Sequence, residues 1–438
     1  IAESQMMHET EEIMNVNLEF LPLKSYANII EGNSLRIDWN NVIPKENLCY
    51  IMGNPPFVGY SLQSKEQKND ILSIYVDEKG KPYKTAGKID YVSGWYFKAS
   101  EMMQNTAIRT AFVSTNSITQ GEQVAGVWKP LYERFGIHID FAHRSFIWDS
   151  EANQKAQVHC VIVGFSIAEN HAERKLFDNG IEKTVKNISP YLINSDTIFI
   201  ENRTNPICDV LKMISGNRPA DGGHLILDEE ERTELIKKEP NAEKYIKRFM
   251  MGYEFINNVP RYCLWLVNAS PAELRKLPLV MKRVELCKED RLKGAPDRQK
   301  LAETPTIFRE QLNPDYFVAI PVVSSEKRKY IPMGYLNSDV IAGNKLFIIP
   351  DADLYLFGIL TSNVHMAWTK AVCGRLKSDY SYSKGIVYNN FPWCSPTEQQ
   401  KANIEKTAQM ILDARAKYPD CSLADLYDET TMPPELRK

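Results

Sequence analysis

The chain has 438 residues, 43% hydrophobic and 25% charged, which is the composition of an ordinary folded protein and excludes collagen-like and largely disordered classes. Its length suggests about three domains, and no run reaches the roughly 18 apolar residues that would span a bilayer. Net charge is −3, from 53 Lys and Arg against 56 Asp and Glu, so a nucleic-acid-binding face would have to be local rather than global.

From about residue 28 to 166, short apolar runs alternate with helical patterns. Asn28–Ile30, Leu48–Met52, Thr110–Val113, Ile137–Phe141 and Val158–Val163 are short and rich in β-branched or aromatic residues, as expected of buried strands. Between them Val92, Trp95, Tyr96, Ala99, Met102 and Met103 recur at helical spacing. Strands alternating with helices predict an α/β, doubly wound, mostly parallel sheet.

After about residue 190 the alternation stops, and prolines, aromatics and charges interleave. Residues 228–248 read as an acidic-then-basic helical stretch broken at Pro240. Residues 271–331 carry 13 Lys and Arg against 9 Asp and Glu. Leu354–Val372 reads as one apolar helix, followed by a polar, basic and aromatic stretch from Gly374 to Gly385. Ser395-Pro396-Thr397-Glu398 reads as a capping box with proline at the first helical position, and Ile404, Ala408, Ile411 and Leu412 carry the helix onward. The eight cysteines include no C-x-x-C pair, and no two histidines form a metal pair. Reduced thiols in a cytoplasm and no metal site are therefore expected.

The sharpest chemical signal is Asn54-Pro55-Pro56-Phe57 at the end of an apolar run. Two prolines end the strand and stiffen the loop. The Asn54 side-chain oxygen and the Pro55 carbonyl offer two acceptors. Converging on an exocyclic amine, they would hold it pyramidal and free its lone pair to attack a methyl group. Phe57 offers a flat face on which a base can stack. The same residues also make a good turn, but the carboxyl end of a strand is where α/β sheets bind ligands.

Asn54-Pro55-Pro56-Phe57 resembles the catalytic motif of amino-group DNA methyltransferases, specifically the N6-adenine branch. Glu31-Gly32-Asn33-Ser34-Leu35 resembles the loop that meets the adenine of S-adenosylmethionine, although Asn33 stands where that family often has Asp. Asp90-Tyr91, Thr110–Asn116 and Phe146–Phe165 resemble its later motifs in the same order. Arg261–Leu266, Ser114–Gln123, Gly374–Asn389 and Phe391-Pro392-Trp393 are similar to type II restriction–modification enzymes that carry nuclease, adenine methyltransferase and target recognition in one chain.

The resemblance implies a Rossmann-like methyltransferase sheet lacking its N-terminal strands (1–190), an α+β target-recognition domain (191–394) and a C-terminal helical segment (395–438). It implies catalysis by Asn54, Pro55, Pro56 and Phe57, cofactor contacts by Asn33, Ser34, Leu35 and Asp90, and base stacking by Phe57 and Phe146. The family's glycine-rich cofactor loop and its following acidic residue would lie upstream of Ile1. The S-adenosylmethionine site is therefore expected to be incomplete, residues 1–14 to end a helix, and a nuclease to lie upstream in the same parent chain.

Double-stranded DNA is the expected partner, with no membrane. Lys327, Arg328 and Lys329 suit phosphate contact. Arg375, Lys377, Ser378, Tyr382, Ser383 and Lys384 combine donors with aromatics, and arginine is the common bidentate reader of guanine. Two alternatives stay open at this stage. One is a non-catalytic DNA-recognition fragment. The other is a glutamine-amide protein methyltransferase, a class that usually carries Tyr in place of Phe57 and lacks a large downstream domain.

Overall fold

The computed structural model describes residues 28–148, 158–168 and 173–437, together with Thr10 and Ile13. The expected helix end over residues 1–14 lies almost wholly outside this range.

A six-stranded sheet organises the first part, in the order β1 (Tyr50–Gly53), β2 (Arg109–Thr115), β4 (Val158–Ser166), β3 (His138–Trp148), β5 (Arg174–Asp178) and β6 (Ile181–Val185). Pairs β1–β2 and β3–β5 are parallel, whereas β2–β4, β3–β4 and β5–β6 are antiparallel. The α/β class holds, and the described sheet is mixed rather than mostly parallel. The turnabout comes from β3 and β4, which pair directly as antiparallel neighbours instead of being joined across a helix.

Helices α1 (Lys65–Ile74), α2 (Ser93–Met102) and α3 (Gly121–Phe135) cover this sheet. A capping box between Ser64 and Gln67 starts α1, and Gly136 in the left-handed region ends α3. Tyr96 on α2 locks the layers together. Its ring stacks on Phe165 of β4 at 5.3 Å and meets Phe112 of β2 and Trp128 of α3 edge-on, while its hydroxyl is 2.8 Å from Ser114 Oγ.

Asn28–Ile30 is a correction: it forms no strand, and Ile29 is 87% exposed. Its apolar residues find no ladder partner among the described strands, so composition alone does not make it β.

The second part is built from smaller sheets. One runs β13 (Gly334–Asn337), β11 (Tyr316–Pro321), β15 (Leu346–Pro350), β7 (Ile214–Ser215). Another runs β14 (Val340–Ala342), β9 (Ile246–Met250), β10 (Tyr262–Leu264), β8 (Ile226–Leu227). The third runs β12 (Val323–Ser324), β17 (Asp379–Ser381), β16 (Gly374–Leu376). The helix expected over 228–248 ends at Lys238 and gives way to strand β9, as the break at Pro240 allows.

A separate apolar core forms here around Leu225, Cys263, Val280 and Ile341. At its edge Arg291, on α4 (Pro278–Leu292), is completely buried. Its guanidinium donates to the carbonyls of Pro219, Ala220, Leu301, Thr304 and Ile307, at 2.8–3.0 Å.

The single helix expected over Leu354–Val372 is two, Leu354–Leu360 and α5 (Asn363–Val372). Ser362 breaks the run by capping the His365 N–H. The capping box near residue 395 also moves: Thr397 is the cap, paired with Gln400, and α6 runs Glu398–Ala416.

His365 is buried, and its Nε2 lies 2.9 Å from the Tyr382 hydroxyl. Burial pushes its pKa down to about 3. The unfolded chain takes up a proton as pH falls through about 6.5 while the folded chain does not, so stability should fall by about 2 kcal/mol between pH 7 and pH 5 from this residue alone. His365→Gln keeps a partner for Tyr382 without titrating. Thermal melts across this range should show a shallower pH slope in the variant; an unchanged slope would contradict the assignment.

Candidate active site and DNA-facing cleft

β1 and β2 run parallel, with Gly53 opposite Phe112, so the loops that follow them leave the same edge of the sheet. Asn54 is exposed at that edge, and Pro55 is buried behind it. Among the described residues the Asn54 amide makes no hydrogen bond within the chain. The prolines fix its position without consuming its acceptor.

Beside Asn54-Pro55-Pro56 opens a cavity of about 600 Å³, within the range of small-molecule sites. The Gly32-Asn33-Ser34 turn forms one wall; Trp39, Tyr91, Trp95 and Phe112 supply aromatic surface. The turn is held rigid. Asn33 Oδ1 accepts from Leu35 N at 3.0 Å, and the Trp39 indole donates to the Ser34 carbonyl at 2.8 Å. A flat aromatic surface, a polar turn and a free acceptor suit a nucleoside sulfonium, so the residues present fit S-adenosylmethionine.

Two expected cofactor residues are corrected by their placement. Leu35 is buried and packs inward, because its side chain fills the gap over Gly94 and Ile71. Asp90 is buried beneath the loop rather than lining the cavity. Its carboxylate accepts from the Tyr60 N–H at 2.9 Å and from the Ser117 hydroxyl, tying the loop after β1 to the loop after β2. Tyr91, next to it, does line the cavity, and its N–H holds the Val58 carbonyl at 2.9 Å. Phe57 is half-buried and lines neither this cavity nor the cleft described next.

Phe146 belongs to the same sheet edge. It pairs with Cys160 of β4, which pairs with Thr115 of β2. Three strand spacings, about 14 Å, separate β1 from β3 in this order. Phe146 lines a second, polar cleft of about 540 Å³. Asn116, Gln120, Arg144 and His159 face it from the sheet, and Lys370, Arg375, Ser378 and Tyr380 from the second part. The structure thus brings Phe146, Arg375 and Ser378 together although more than 200 residues separate them in sequence.

Arg375 and Ser378 sit on the β16–β17 hairpin, whose tip is exposed Lys377 at φ +59°. The Arg375 guanidinium lies 3.8 Å from the centroid of the Tyr380 ring, itself largely buried in the cleft wall. Tyr382 is a correction: it is buried against His365 and reaches no surface, because its ring fills the core beneath the hairpin. Ser383 caps the π-helical turn Lys384–Tyr388 and is committed to the Ile386 N–H. Lys384, half-buried, begins that turn. Lys327 and Lys329 are exposed. Arg328 is half-buried, and burial lowers its pKa while Asp379 and Asp428 oppose that shift.

A strand edge ending in Asn-Pro-Pro-Phe beside an aromatic cavity, joined through a basic cleft to a β-rich second part, defines a DNA methyltransferase domain coupled to a target-recognition domain. Comparison with known families agrees. Residues 1–178 match the family described as MmeI, DNA-methyltransferase domain; residues 194–395 match MmeI, target recognition domain; residues 396–438 match MmeI, C-terminal domain. The chain belongs to this MmeI-like family.

DNA methyltransferase A of Bacillus subtilis (strain 168) is 42% identical over 442 residues, covering 100% of this chain and 50% of its own length. A solved structure of the Type IIL restriction-modification enzyme MmeI in complex with DNA is 43% identical with a TM-score of 0.91, covering 99% of this chain and 58% of that one. The chain spans about half the length of these relatives.

Proposed function

We propose that the protein methylates N6 of adenine at a specific site in duplex DNA, with S-adenosylmethionine as donor, as part of a restriction–modification enzyme whose nuclease lies upstream in the parent chain. The observation that carries this reading is the Asn54 amide at the end of β1, without a hydrogen-bond partner among the described residues and opening on the aromatic cavity beside the Gly32–Ser34 turn.

Extruding the adenine from the duplex costs a few kcal/mol. Asn54 Oδ1 and the Pro55 carbonyl accept the two amine hydrogens and hold the nitrogen lone pair out of conjugation with the ring. Asn33 and Ser34, with Trp39, Tyr91 and Trp95, would hold the cofactor, which when bound supplies an electrophilic methyl group. Phe57 offers a face to the base, and Phe146 offers another at the far side of the sheet edge. We divide the chain at 1–190, 191–394 and 395–438 on this reading.

The direct test is to incubate the intact protein with duplex DNA and methyl-labelled S-adenosylmethionine, then hydrolyse the DNA to nucleosides. Label should appear in N6-methyladenine. Label confined to a methylated cytosine, or to protein, would contradict the reading.

Sequence recognition belongs on this reading to the hairpin. Arg375 and Lys377 reach base edges, while Lys327 and Lys329 meet phosphates. Arg375→Ala should cost about 1–3 kcal/mol on cognate DNA and relax discrimination at one base pair, whereas Lys327→Ala should weaken all sequences alike. A panel of single-base site variants at fixed salt measures both, because phosphate binding is salt-dependent. Uniform weakening by Arg375→Ala would demote the hairpin to backbone contact.

A further inference from the structure

One buried carboxylate joins the two walls of the candidate site. Asp70, on α1, is 5% exposed and lines neither cavity. Its Oδ1 accepts from Arg36 Nε at 2.7 Å. Its Oδ2 accepts from Asn33 Nδ2 at 2.9 Å and from the Tyr91 hydroxyl at 3.0 Å. The three donors come from two separate segments, and both segments line the cavity beside Asn54.

Each donor residue is fixed at a second point. Asn33 is tied to its own turn through Leu35 N, and the Asn33 carbonyl receives the N–H groups of Arg36 and Ile37. Tyr91 grips the Val58 carbonyl, just beyond Asn54–Phe57. Asp90 beside it holds the Tyr60 N–H. The packing leaves no slack: a Cβ on Gly94 would come within 3.0–3.1 Å of Leu35 and Ile71, side chains from the turn and from α1.

Burial alone would raise the Asp70 pKa. The hydrogen bonds from Arg36, Tyr91 and Asn33 outweigh it and hold the carboxyl below its usual range. The group is therefore an anion, and three donors compensate its desolvation.

We propose that Asp70 is a positioning residue for methyl transfer: by binding Asn33 and Tyr91 through one oxygen, it fixes the spacing between the wall that holds the methyl donor and the loop that holds the target amine. The proposal rests on the functional reading above and adds the element that sets its geometry. Asp70 touches neither reactant.

The test uses Asp70→Asn, Asp70→Ala and Tyr91→Phe in the intact protein. Calorimetric titration with S-adenosylmethionine and with its unreactive analogue sinefungin reads the cofactor wall. Single-turnover methylation at saturating cofactor reads the spacing, and duplex affinity and melting temperature serve as controls. Asp70→Asn and Tyr91→Phe should each weaken cofactor binding by about tenfold, the scale of one charge-assisted hydrogen bond. Each should also slow transfer at saturating cofactor, with duplex affinity unchanged. The double substitution should cost less than the sum of the two, because they remove a shared contact.

A lowered melting temperature with parental cofactor affinity and parental saturated rate would overturn the proposal and leave Asp70 a fold anchor. If Asp70→Ala does not fold, Tyr91→Phe decides, since it removes one hydroxyl alone. A parent protein that binds cofactor but methylates no adenine would sink the functional reading, and the binding titrations would still judge Asp70.

Discussion

Asn54→Ala should abolish methyl transfer while leaving the duplex bound. The Asn54 amide is exposed at the sheet edge and makes no hydrogen bond among the described residues. Among the described residues no hydrogen bond is lost when it is truncated. On the proposed reading, the adenine amine would lose one of two acceptors at the moment its nitrogen must rehybridise. Removing a single aimed polar group of this kind costs about 10²–10³ in rate, and here the remaining acceptor, the Pro55 carbonyl, cannot alone hold both amine hydrogens. The binding surface proposed for DNA, the cleft with Arg144, Lys370 and Arg375, is untouched. Single-turnover methylation and duplex affinity, measured on the same preparation, check both halves. Methylation within a few fold of the parent would remove Asn54 from the catalytic role.

The largest stability effect should come from Arg291→Leu. Five main-chain carbonyls from the 219–220 and 301–307 segments converge on this guanidinium inside the second part. No carboxylate pairs directly with it among the described residues, so the charge is compensated by carbonyl dipoles. Truncation leaves those carbonyls buried without donors, and each such group costs about 1–3 kcal/mol when unrelieved. Local relaxation recovers part of the total, giving an expected loss of about 3–5 kcal/mol. Arg291→Lys should rescue little, since one ammonium offers three donors rather than five. Denaturant titration of parent and variants measures this; a loss below about 1 kcal/mol would show that the carbonyls find other partners.

The legible parts of this molecule were those written locally. Asn54–Phe57 could be found because prolines and glycine after an apolar run mark a strand end whatever surrounds it. The strands at Thr110–Val113, Ile137–Phe141 and Val158–Val163 and the helix through Val92–Met103 follow from periodicity, and the structure places all of them. What stayed hidden depends on distant partners. Whether β3 and β4 run parallel or antiparallel is decided by the connection between them, not by their similar apolar composition.

Asn28–Ile30 has strand composition but no neighbour to pair with among the described residues. Tyr382 and Tyr380 look alike in a basic, aromatic stretch, yet Tyr380, within β17, lines the cleft, while Tyr382, just past the strand's end at Ser381, is buried in the core against His365. Trp95 reads as an ordinary apolar residue because helical spacing does not distinguish a core face from a cavity wall. Asp70 gave no signal at all: a lone Asp on an amphipathic helix reads as solvated until Asn33, Arg36 and Tyr91 are seen around it.

On the proposed function, the end of β1 beside the Gly32–Ser34 turn is where a flipped adenine meets its methyl donor. A crystal structure of the intact protein with sinefungin and a cognate duplex tests it most directly. The expected result is an extruded adenine whose N6 lies within hydrogen-bond reach of Asn54 Oδ1 and the Pro55 carbonyl, with the analogue in the cavity lined by Asn33, Trp39, Tyr91 and Trp95. An adenine left stacked in the duplex, or an analogue bound elsewhere with this cavity empty, would contradict it.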